Sequence, residues 1–467
     1  MARTDRALIA HLMRRAAFGA TASEIDTLSD KKYEDLVEGL LHPERAPAFE
    51  EDVLRRYYLE LNNADSHVPW QSYWIYRMVN TPRPMEEKIA LFWHHIFATS
   101  IGKSEHTPSS RQQIDTFRRT GLSNLRTIYL ELARDPAMLF WLDNCENHRG
   151  EPNENWGREL LELFSMGVGN YTEQDIKMAS RAFTGWTFTQ PLPLDPYGRF
   201  SSEFQYLDTD HDRGEKTFLG RSGSFDGEDI IDIIVGQPAT HRFIARHMYN
   251  FFVADEPQVP AWGIVPPQDP GAIDALAAEL RKSGGDVRAT LRLLFNSDFF
   301  KAAIGRKVKS PVELVVGTVK LAGSHRFPEP GLSELATAVS VMGQALMTPP
   351  TVEGWHTGKE WIDAGTLNER VNFAVNQFSN PDQPGVQAFV RSLKKSGGAV
   401  SPDRFVDRCL EWLGPFPISA DTRRGLVERV RQDGDVRADA EDQRGQVEAR
   451  GARLVQAIVS SIEYQLA

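Results

Sequence analysis

Apolar residues recur every three or four positions along most of the chain, which is the spacing of one face of an α-helix. The clearest stretch is residues 153–188, NENWGRELLELFSMGVGNYTEQDIKMASRAFTGWTF. It predicts two helices joined by a short turn. Asn153 is placed to cap the first helix with its side-chain oxygen, and Gly167 and Gly169 favour the end of that helix. This helix pair is therefore the reference point for the rest of the sequence.

Helix starts elsewhere are marked by capping boxes, in which a polar side chain and the residue three positions later satisfy each other's backbone N–H groups. The spacing predicts capping boxes at Thr172 with Asp175, Ser310 with Glu313, and Ser23 with Asp26.

On a helical wheel, the first helix of the pair has an apolar arc and a polar arc. The apolar arc consists of Trp156, Leu160, Leu161, Leu163 and Phe164. The polar arc consists of Glu154, Asn155, Arg158, Glu159 and Glu162, with Met166 among them. Three carboxylates beside one guanidinium form either a solvated face of i,i+4 ion pairs or the wall of an acid–base site. The pattern leaves both interpretations open.

The helical pattern predicts a mainly α fold, a large multi-helix body with one small β-hairpin or loop insertion around residues 186–228. That insertion is rich in Gly, Pro, Asp and aromatic residues and alternates in short runs. Residues 1–380 are expected to form the helical core domain, and residues 381–467 a helical C-terminal subdomain packed on it. The Pro-rich stretch 257–270 is typical of a linker.

Composition narrows the class of protein. The chain has 467 residues, of which 41% are hydrophobic and 25% charged, as in ordinary soluble proteins. A net charge of −11 without a basic stripe argues against a nucleic-acid or anionic-membrane partner. Cys145 and Cys409 are too few for a disulfide framework or a cysteine metal cage. No secretory or membrane-spanning segment is visible, which predicts a cytoplasmic location and no membrane association.

Histidines and tryptophans outside the helix pair are the other candidates for chemistry. His94 and His95 follow one another on a predicted helix and lie in no HExxH or ExxH pattern, so a structural role is favoured. His211 and Asp212 occupy a loop that fails the EF-hand pattern but allows a catalytic pair in a tight turn. His247 lies on an apolar face and is expected to be a hydrogen-bonded core residue.

Several motifs resemble the bacterial family called domain of unknown function 1800. They are HLMRRAAFGAT at 11–21, FWHHIFATS at 92–100, NEN-x-x-REL-x-EL from 153, HD-x-G-x-KTFLG at 211–220, KSPVELVVG at 309–317 and PP-x-V-x-GW-x-x-G-x-x-W at 349–361. The family segment after Trp93 usually reads HxHF, and Ile96 replaces its second histidine here. The resemblance spans essentially the whole chain. It implies a mostly helical bacterial protein, often exported and often encoded beside a sulfatase-like partner, with no assigned reaction.

The resemblance also implies that the polar motif positions converge on one pocket. Those positions are His94, Asn153, Glu154, Asn155, Arg158, Glu159, Glu162, Trp186, His211, Asp212 and Trp355. This shifts the interpretation of the glutamate face from solvated surface towards a functional site.

The leading hypothesis is a hydrolase that uses paired carboxylates on a small-molecule or glycan substrate, with no cofactor. Glu159 is the general acid, Glu162 or Glu154 the base or nucleophile, and Arg158 keeps that partner ionised. The expected substrate-binding residues are Asn155, His211, Asp212, Trp186 and Trp355.

Two alternatives stay open. A divalent metal site for oxidation or hydrolysis would take His94, Glu159, Glu162 and either His211 or Asp212 as ligands, a mixed set suited to iron, manganese or zinc. A non-catalytic scaffold or partner-binding protein would instead have all its carboxylates paired inside a closed core.

Overall fold

The structure is a computed structural model, and it confirms the predicted mainly α fold with small β-hairpin insertions. It describes residues 4–62, 66–104, 106–189, 201–380, 382–394, 399–432, 436–437 and 444–467.

Helices fill the chain before the insertion. They are α1 (Arg6–Arg15), α2 (Ala22–Leu28), α3 (Tyr33–Leu41), α4 (Asp52–Tyr57), α5 (Val68–Asn80), α6 (Pro84–Ile96), α7 (Ile101–Ser104), α8 (Thr107–Thr120), α9 (Leu125–Ala133), α10 (Pro136–Trp141), α11 (Asn155–Glu159) and α12 (Glu173–Ala182). A π-helix (Leu160–Ser165) continues α11 without a break.

Helices resume after the insertion. They are α13 (Gly227–Val235), α14 (Pro238–Phe252), α15 (Pro270–Lys282), α16 (Val287–Asn296), α17 (Asp298–Lys301), α18 (Pro311–Ala322), α19 (Leu332–Val341), α20 (Ala364–Ser379), α21 (Pro384–Lys394), α22 (Pro402–Trp412), α23 (Ala420–Gln432) and α24 (Arg444–Val459). Within the described residues, no helix is long and apolar enough to cross a lipid bilayer.

The β-structure consists of short antiparallel pairs. The insertion contains β1 (Trp186–Phe188) paired with β2 (Phe204–Tyr206) and β3 (Lys216–Phe218) paired with β4 (Arg221–Gly223). A further pair, β5 (Ala399–Val400) with β6 (Val436–Arg437), lies in the C-terminal region and has no counterpart in the sequence prediction. The predicted β-containing insertion is thus two hairpins in a helical body.

Two of the three predicted capping boxes form. They open α12 and α18, at Thr172 and Ser310. The third prediction, at Ser23, is wrong because Thr21 caps α2 instead. Its hydroxyl accepts from the Glu24 backbone N–H, and the Glu24 carboxylate accepts from the Thr21 backbone N–H at 2.7 Å.

The buried core runs through the helices on both sides of the insertion. The indoles of Trp74, Trp93 and Trp156 are almost completely buried. Large aromatic rings bury the most apolar surface per residue, so these three anchor the packing around α5, α6 and α11. The C-terminal region contacts this body, since Tyr464 shares a 2.9 Å hydrogen bond with Thr318 of α18. The division at residue 380 stays a prediction.

Candidate functional site

The glutamate-bearing helix changes character half-way along. The apolar arc predicted for it is buried throughout. The prediction that Asn153 caps this helix is wrong, because the helix begins at Asn155 and Glu154 occupies the N-cap position without a side-chain cap hydrogen bond. The Asn153 side-chain oxygen instead accepts from the Asn155 backbone N–H at 2.9 Å, just before the helix. After Glu159 the backbone widens into the π-helix, where the Ser165 hydroxyl donates to the Leu160 carbonyl at 2.5 Å. Such π turns are rare and frequently occur at functional sites.

A cavity of about 520 Å³ opens against this π-helix. Its walls come from the π-helix and the turn after it, from α14, from the 3₁₀ turn Val259–Gly263 and from the loop that contains Glu353. The lining residues are Glu159, Glu162, Leu163, Met166, Gly167, Val168, Asn170, Ala239, Arg242, Phe243, Arg246, Val259, Trp262, Gly263, Val352 and Glu353. Ligand pockets in proteins have volumes of about 300–1,000 Å³, so this cavity has the size of a small-molecule site.

Glu159 is a glutamate of this wall whose carboxylate has no partner among the described residues. It is half-buried, and its carboxylate makes no hydrogen bond or ion pair with any residue that the structure describes. Burial and then the negative charge of Glu162 raise the pKa of Glu159 to about 7. Arg158 opposes this shift and Glu353 adds to it. A carboxyl group in this range carries a proton in a substantial fraction of molecules near neutral pH.

Glu162 lines the same cavity three residues further on. Its carboxylate accepts a hydrogen bond from the Tyr171 hydroxyl at 3.2 Å. Burial and then the charge of Glu162 raise the pKa of Tyr171, so this phenol stays a hydrogen-bond donor. Glu159 and Glu162 therefore have different environments on one wall, the first unpartnered and the second hydrogen-bonded.

Glu154 and Arg158 lie on the same helix but outside the cavity lining. Arg158 forms a two-pronged ion pair with Glu173 at 3.0 and 2.9 Å and contacts Glu154 at 3.3 Å. Glu173 is 70% exposed, so this group is a solvated surface network. Asn155 is also exposed, and its amide donates to Asp143 at 3.4 Å. The solvated-face interpretation thus applies to Glu154, Asn155 and Arg158, whereas Glu159 and Glu162 line the cavity.

Two arginines of α14 complete the charged lining, and each has its own acidic partner. Arg246 is nearly buried and donates to Glu256 at 2.9 and 2.7 Å, while its guanidinium lies 4.6 Å from the centre of the Trp262 ring. Arg242 pairs with Asp274 on the surface. The cavity wall therefore holds three carboxylates, those of Glu159, Glu162 and Glu353, and two arginines. Each arginine is paired with a carboxylate that lies outside the lining.

His211 and Asp212 do not line this cavity and instead contact the C-terminal end of α12 and the residues that follow it. The His211 ring is buried and its Nδ1 lies 3.0 Å from the Thr184 carbonyl oxygen. Asp212 accepts from the Arg181 guanidinium at 2.7 Å. Trp186 is buried as well. These contacts hold the insertion against α12, and the cavity lining includes none of the three predicted substrate contacts.

Trp355 and His94 are packed against each other inside the core. Their ring centres are 5.2 Å apart, and Trp355 donates from its indole N–H to the Ala345 carbonyl at 3.1 Å. Burial and then the charge of His95 lower the pKa of His94 to about 3, with Gln113 acting in the opposite direction. His94 is therefore a neutral imidazole between tryptophan rings.

The metal alternative requires its ligands to converge. Among the described residues, no group of three or more His, Cys, Asp or Glu side chains is placed to hold one ion. Of the predicted set, Glu159 and Glu162 share a cavity, whereas His94 and His211 are held in separate places. The expected single pocket thus contains two of the sequence-predicted residues.

Sequence reasoning missed the other walls of the cavity. Glu353 lies inside the glycine- and tryptophan-rich motif at 349–361, in which Trp355 was the predicted site residue. Trp262 lies in the stretch predicted to be a linker, but the structure folds that stretch into a 3₁₀ turn beside α14. Arg242 and Arg246 have i,i+4 spacing on one predicted helix, which is the signal that could have found them.

Comparison with known proteins places the chain in a family without identifying a reaction. No curated protein and no solved structure matches the chain. One family model, described as Protein of unknown function (DUF1800), matches residues 11–466. Because that match covers nearly the whole chain, the protein belongs to the DUF1800 family.

Proposed function

We propose that the protein is a hydrolase that cleaves glycosidic bonds in the cavity beside the π-helix, with Glu159 as general acid. The observation that carries this proposal is the state of Glu159. It is half-buried and unpartnered, its pKa is raised to about 7, and it lines a cavity of about 520 Å³. A general acid must hold its proton until the substrate arrives, and a raised pKa provides this.

The proton of Glu159 would pass to the oxygen of the leaving group. Protonation makes that oxygen a better leaving group while positive charge develops at the sugar carbon. An arginine paired to Glu159 would keep the carboxylate ionised and prevent this step. The engagement of Arg158 by Glu173 and Glu154 therefore supports the proposal, because it leaves Glu159 free of such a pair.

A second carboxylate must act as base or nucleophile. Glu162 is one candidate, as the sequence suggested, and its negative charge helps to keep Glu159 protonated. Glu353 is the other, since it reaches the cavity from a separate loop and could approach the sugar from a different side than Glu159. Glu154 is excluded as the second carboxylate, because it contacts Arg158 outside the cavity.

The other lining residues favour a sugar. Trp262 and Phe243 present aromatic rings that pack at 5.4 Å from each other on one wall, and aromatic faces bind the apolar faces of sugar rings. Asn170 and Arg242 add polar groups that could orient hydroxyls. This combination of one apolar wall with a few polar groups is typical of small-ligand sites.

The test is the release of reducing ends from a panel of soluble polysaccharides and chitin- and cellulose-derived oligosaccharides. We expect Glu159→Gln to lower the rate by about 100-fold or more, because general-acid catalysis contributes about 10²–10⁴. Glu154→Gln is the matched control, since it makes the same change on the same helix outside the cavity. A Glu159→Gln protein with the wild-type rate, or a wild type that cleaves nothing in the panel, would refute the proposal.

A further inference from the structure

A second, smaller cavity of about 30 Å³ lies further along α14. The two cavities share their walls: α14 supplies Phe243 and Arg246 to the larger one and His247 and Asn250 to the smaller one. The loop after Pro350 likewise supplies Glu353 to the first and Thr357 to the second. A cavity of about 10–15 Å³ accommodates one water, so the small cavity has room for a small ligand.

Hydrogen-bond acceptors on this wall are already occupied. Glu313 accepts from Arg15 and Lys88 on one oxygen, and from the Ser310 backbone N–H at 2.9 Å on the other. The Asn250 side-chain oxygen accepts from the Glu256 backbone N–H at 2.9 Å, and the Gln344 oxygen accepts from Val312 at 3.0 Å. These backbone donors fix the orientation of both side-chain amides. The NH₂ groups of Asn250 and Gln344 therefore point away from the Glu256 and Val312 N–H groups.

Other polar atoms on the same wall have no partner, and of these the Thr357 hydroxyl can donate, as can His247 Nε2 in the tautomer that carries its proton there. The buried Thr357 hydroxyl and the buried Nε2 of His247 have no hydrogen-bond partner. The expectation that His247 would be a hydrogen-bonded core histidine is therefore wrong for this atom. Within the described chain, the amide nitrogens of Asn250 and Gln344 also make no hydrogen bond, and the Lys307 ammonium makes one, to Asp255 at 2.8 Å. Of these atoms, the Thr357 hydroxyl and His247 Nε2 are buried without a partner, which destabilises the fold unless a ligand pairs with them.

The charge around the cavity has the matching sign. Arg15, Lys88 and Lys307 share two carboxylates, Glu313 and Asp255, so this cluster has one formal positive charge in excess. Burial and then the charge of Lys307 lower the pKa of His95, another lining residue, to about 4. Burial disfavours an ion of either sign, but the Lys307 charge that opposes protonation of His95 attracts an anion.

We infer that the small cavity binds a monovalent inorganic anion, such as chloride, between the Lys307 ammonium, the Thr357 hydroxyl and the His247 ring. The anion would accept from the amides of Asn250 and Gln344 as well. It would offset the excess positive charge and satisfy the unpaired donors in one step. This site is separate from the proposed hydrolytic site and does not depend on it.

Crystals of the full chain grown in sodium bromide test the site directly. We expect an anomalous bromide peak in the cavity between Lys307 and Thr357. Water alone in that position would overturn the inference, whatever the behaviour of any variant.

A solution measurement gives the affinity. We expect sodium chloride to raise the thermal unfolding midpoint in a saturable way relative to sodium gluconate at equal ionic strength, since a ligand of the folded state stabilises it. Thr357→Val removes one donor at constant shape and should weaken chloride binding at least about tenfold, because hydrogen bonds to charged groups are stronger than neutral ones. Thr337→Val, on the exposed surface of α19, is the matched control. Equal chloride effects in both variants would contradict the proposed site.

Discussion

Glu159 and Glu313 are two glutamates withdrawn from bulk water, and their pKa values have moved in opposite directions. Burial alone raises the pKa of a carboxyl group. Glu313 is the more deeply buried of the two, with 7% of its side chain exposed, yet its pKa is lowered. Burial acts on Glu313 in the raising direction, but the charges of Arg15, Lys88 and Lys307 outweigh it. Glu159 has no such partners, so burial and Glu162 prevail.

The difference separates a carboxylate that maintains the fold from one that is available for chemistry. Glu313 joins α1, α6 and α18 through its ion pairs, and its contribution to stability is present above pH 4.5 and lost as pH falls towards its lowered pKa. Glu159 has the opposite effect. It favours the folded state below its ordinary pKa of 4.5 and loses that contribution as pH rises through about 7.

The largest effect is expected from Glu313→Gln, which leaves Arg15 and Lys88 buried without their carboxylate. Removing one side of a buried ion pair costs about 3–5 kcal/mol, and we expect a loss of this size in the free energy of unfolding by urea. Asp52→Asn is the control, because its carboxylate pairs with Arg56 on the surface, where both side chains are about 70% exposed. That variant should lose less than about 1 kcal/mol. Similar losses in both variants would remove the distinction drawn for Glu313.

A smaller effect of opposite sign is expected from Glu159→Gln. The wild-type protein must ionise an unpaired carboxyl group above its folded pKa of about 7, and glutamine removes this cost. After allowance for solvent screening of a half-buried group, we expect the variant to gain about 1 kcal/mol of unfolding free energy above that pH. Below pH 4.5 the variant and the wild type should be equally stable, since both side chains are then neutral in both states.

Urea unfolding across this pH range is the measurement, with Glu154→Gln as the control. Glu154 lies near Arg158 on the surface, so its replacement should produce no gain at high pH. A loss of stability in Glu159→Gln above neutral pH would mean that the carboxylate has a stabilising partner after all.

Helical periodicity predicted the helices around this comparison because burial of an apolar arc depends mainly on sequence-local spacing. The arc from Trp156 to Phe164 is buried as predicted, and the box at Ser310 forms. A helical wheel assumes one angular step per residue, however, and the π-helix after Glu159 breaks that assumption. Glu154 and Glu159 both precede this π-helix, so the solvation of one and the cavity position of the other reflect the elements packed around them rather than the widened turn.

Tertiary contacts decide where the other predicted site residues lie. Arg158 was expected to keep Glu162 or Glu154 ionised, but its two-pronged ion pair is with Glu173 of the next helix. Loop tryptophans were expected to stack on substrate, but Trp186 and Trp355 are buried, while Trp262 occupies the cavity wall. Which helix faces which loop is set by packing between distant segments, and local patterns do not encode it.

The smallest effects concern how finely the neighbours of Glu159 set its pKa. After burial, the causes rank as the charge of Glu162, which raises the pKa, then Arg158, which lowers it, then Glu353, which raises it. We therefore expect Glu162→Gln to lower the pKa of Glu159 most, Glu353→Gln to lower it less, and Arg158→Gln to raise it. The carbon-13 signal of labelled glutamate side chains, assigned by its loss in Glu159→Gln, reports each value. If Arg158→Gln produced the largest change, Arg158 rather than Glu162 would be the neighbouring charge that controls the pKa of Glu159.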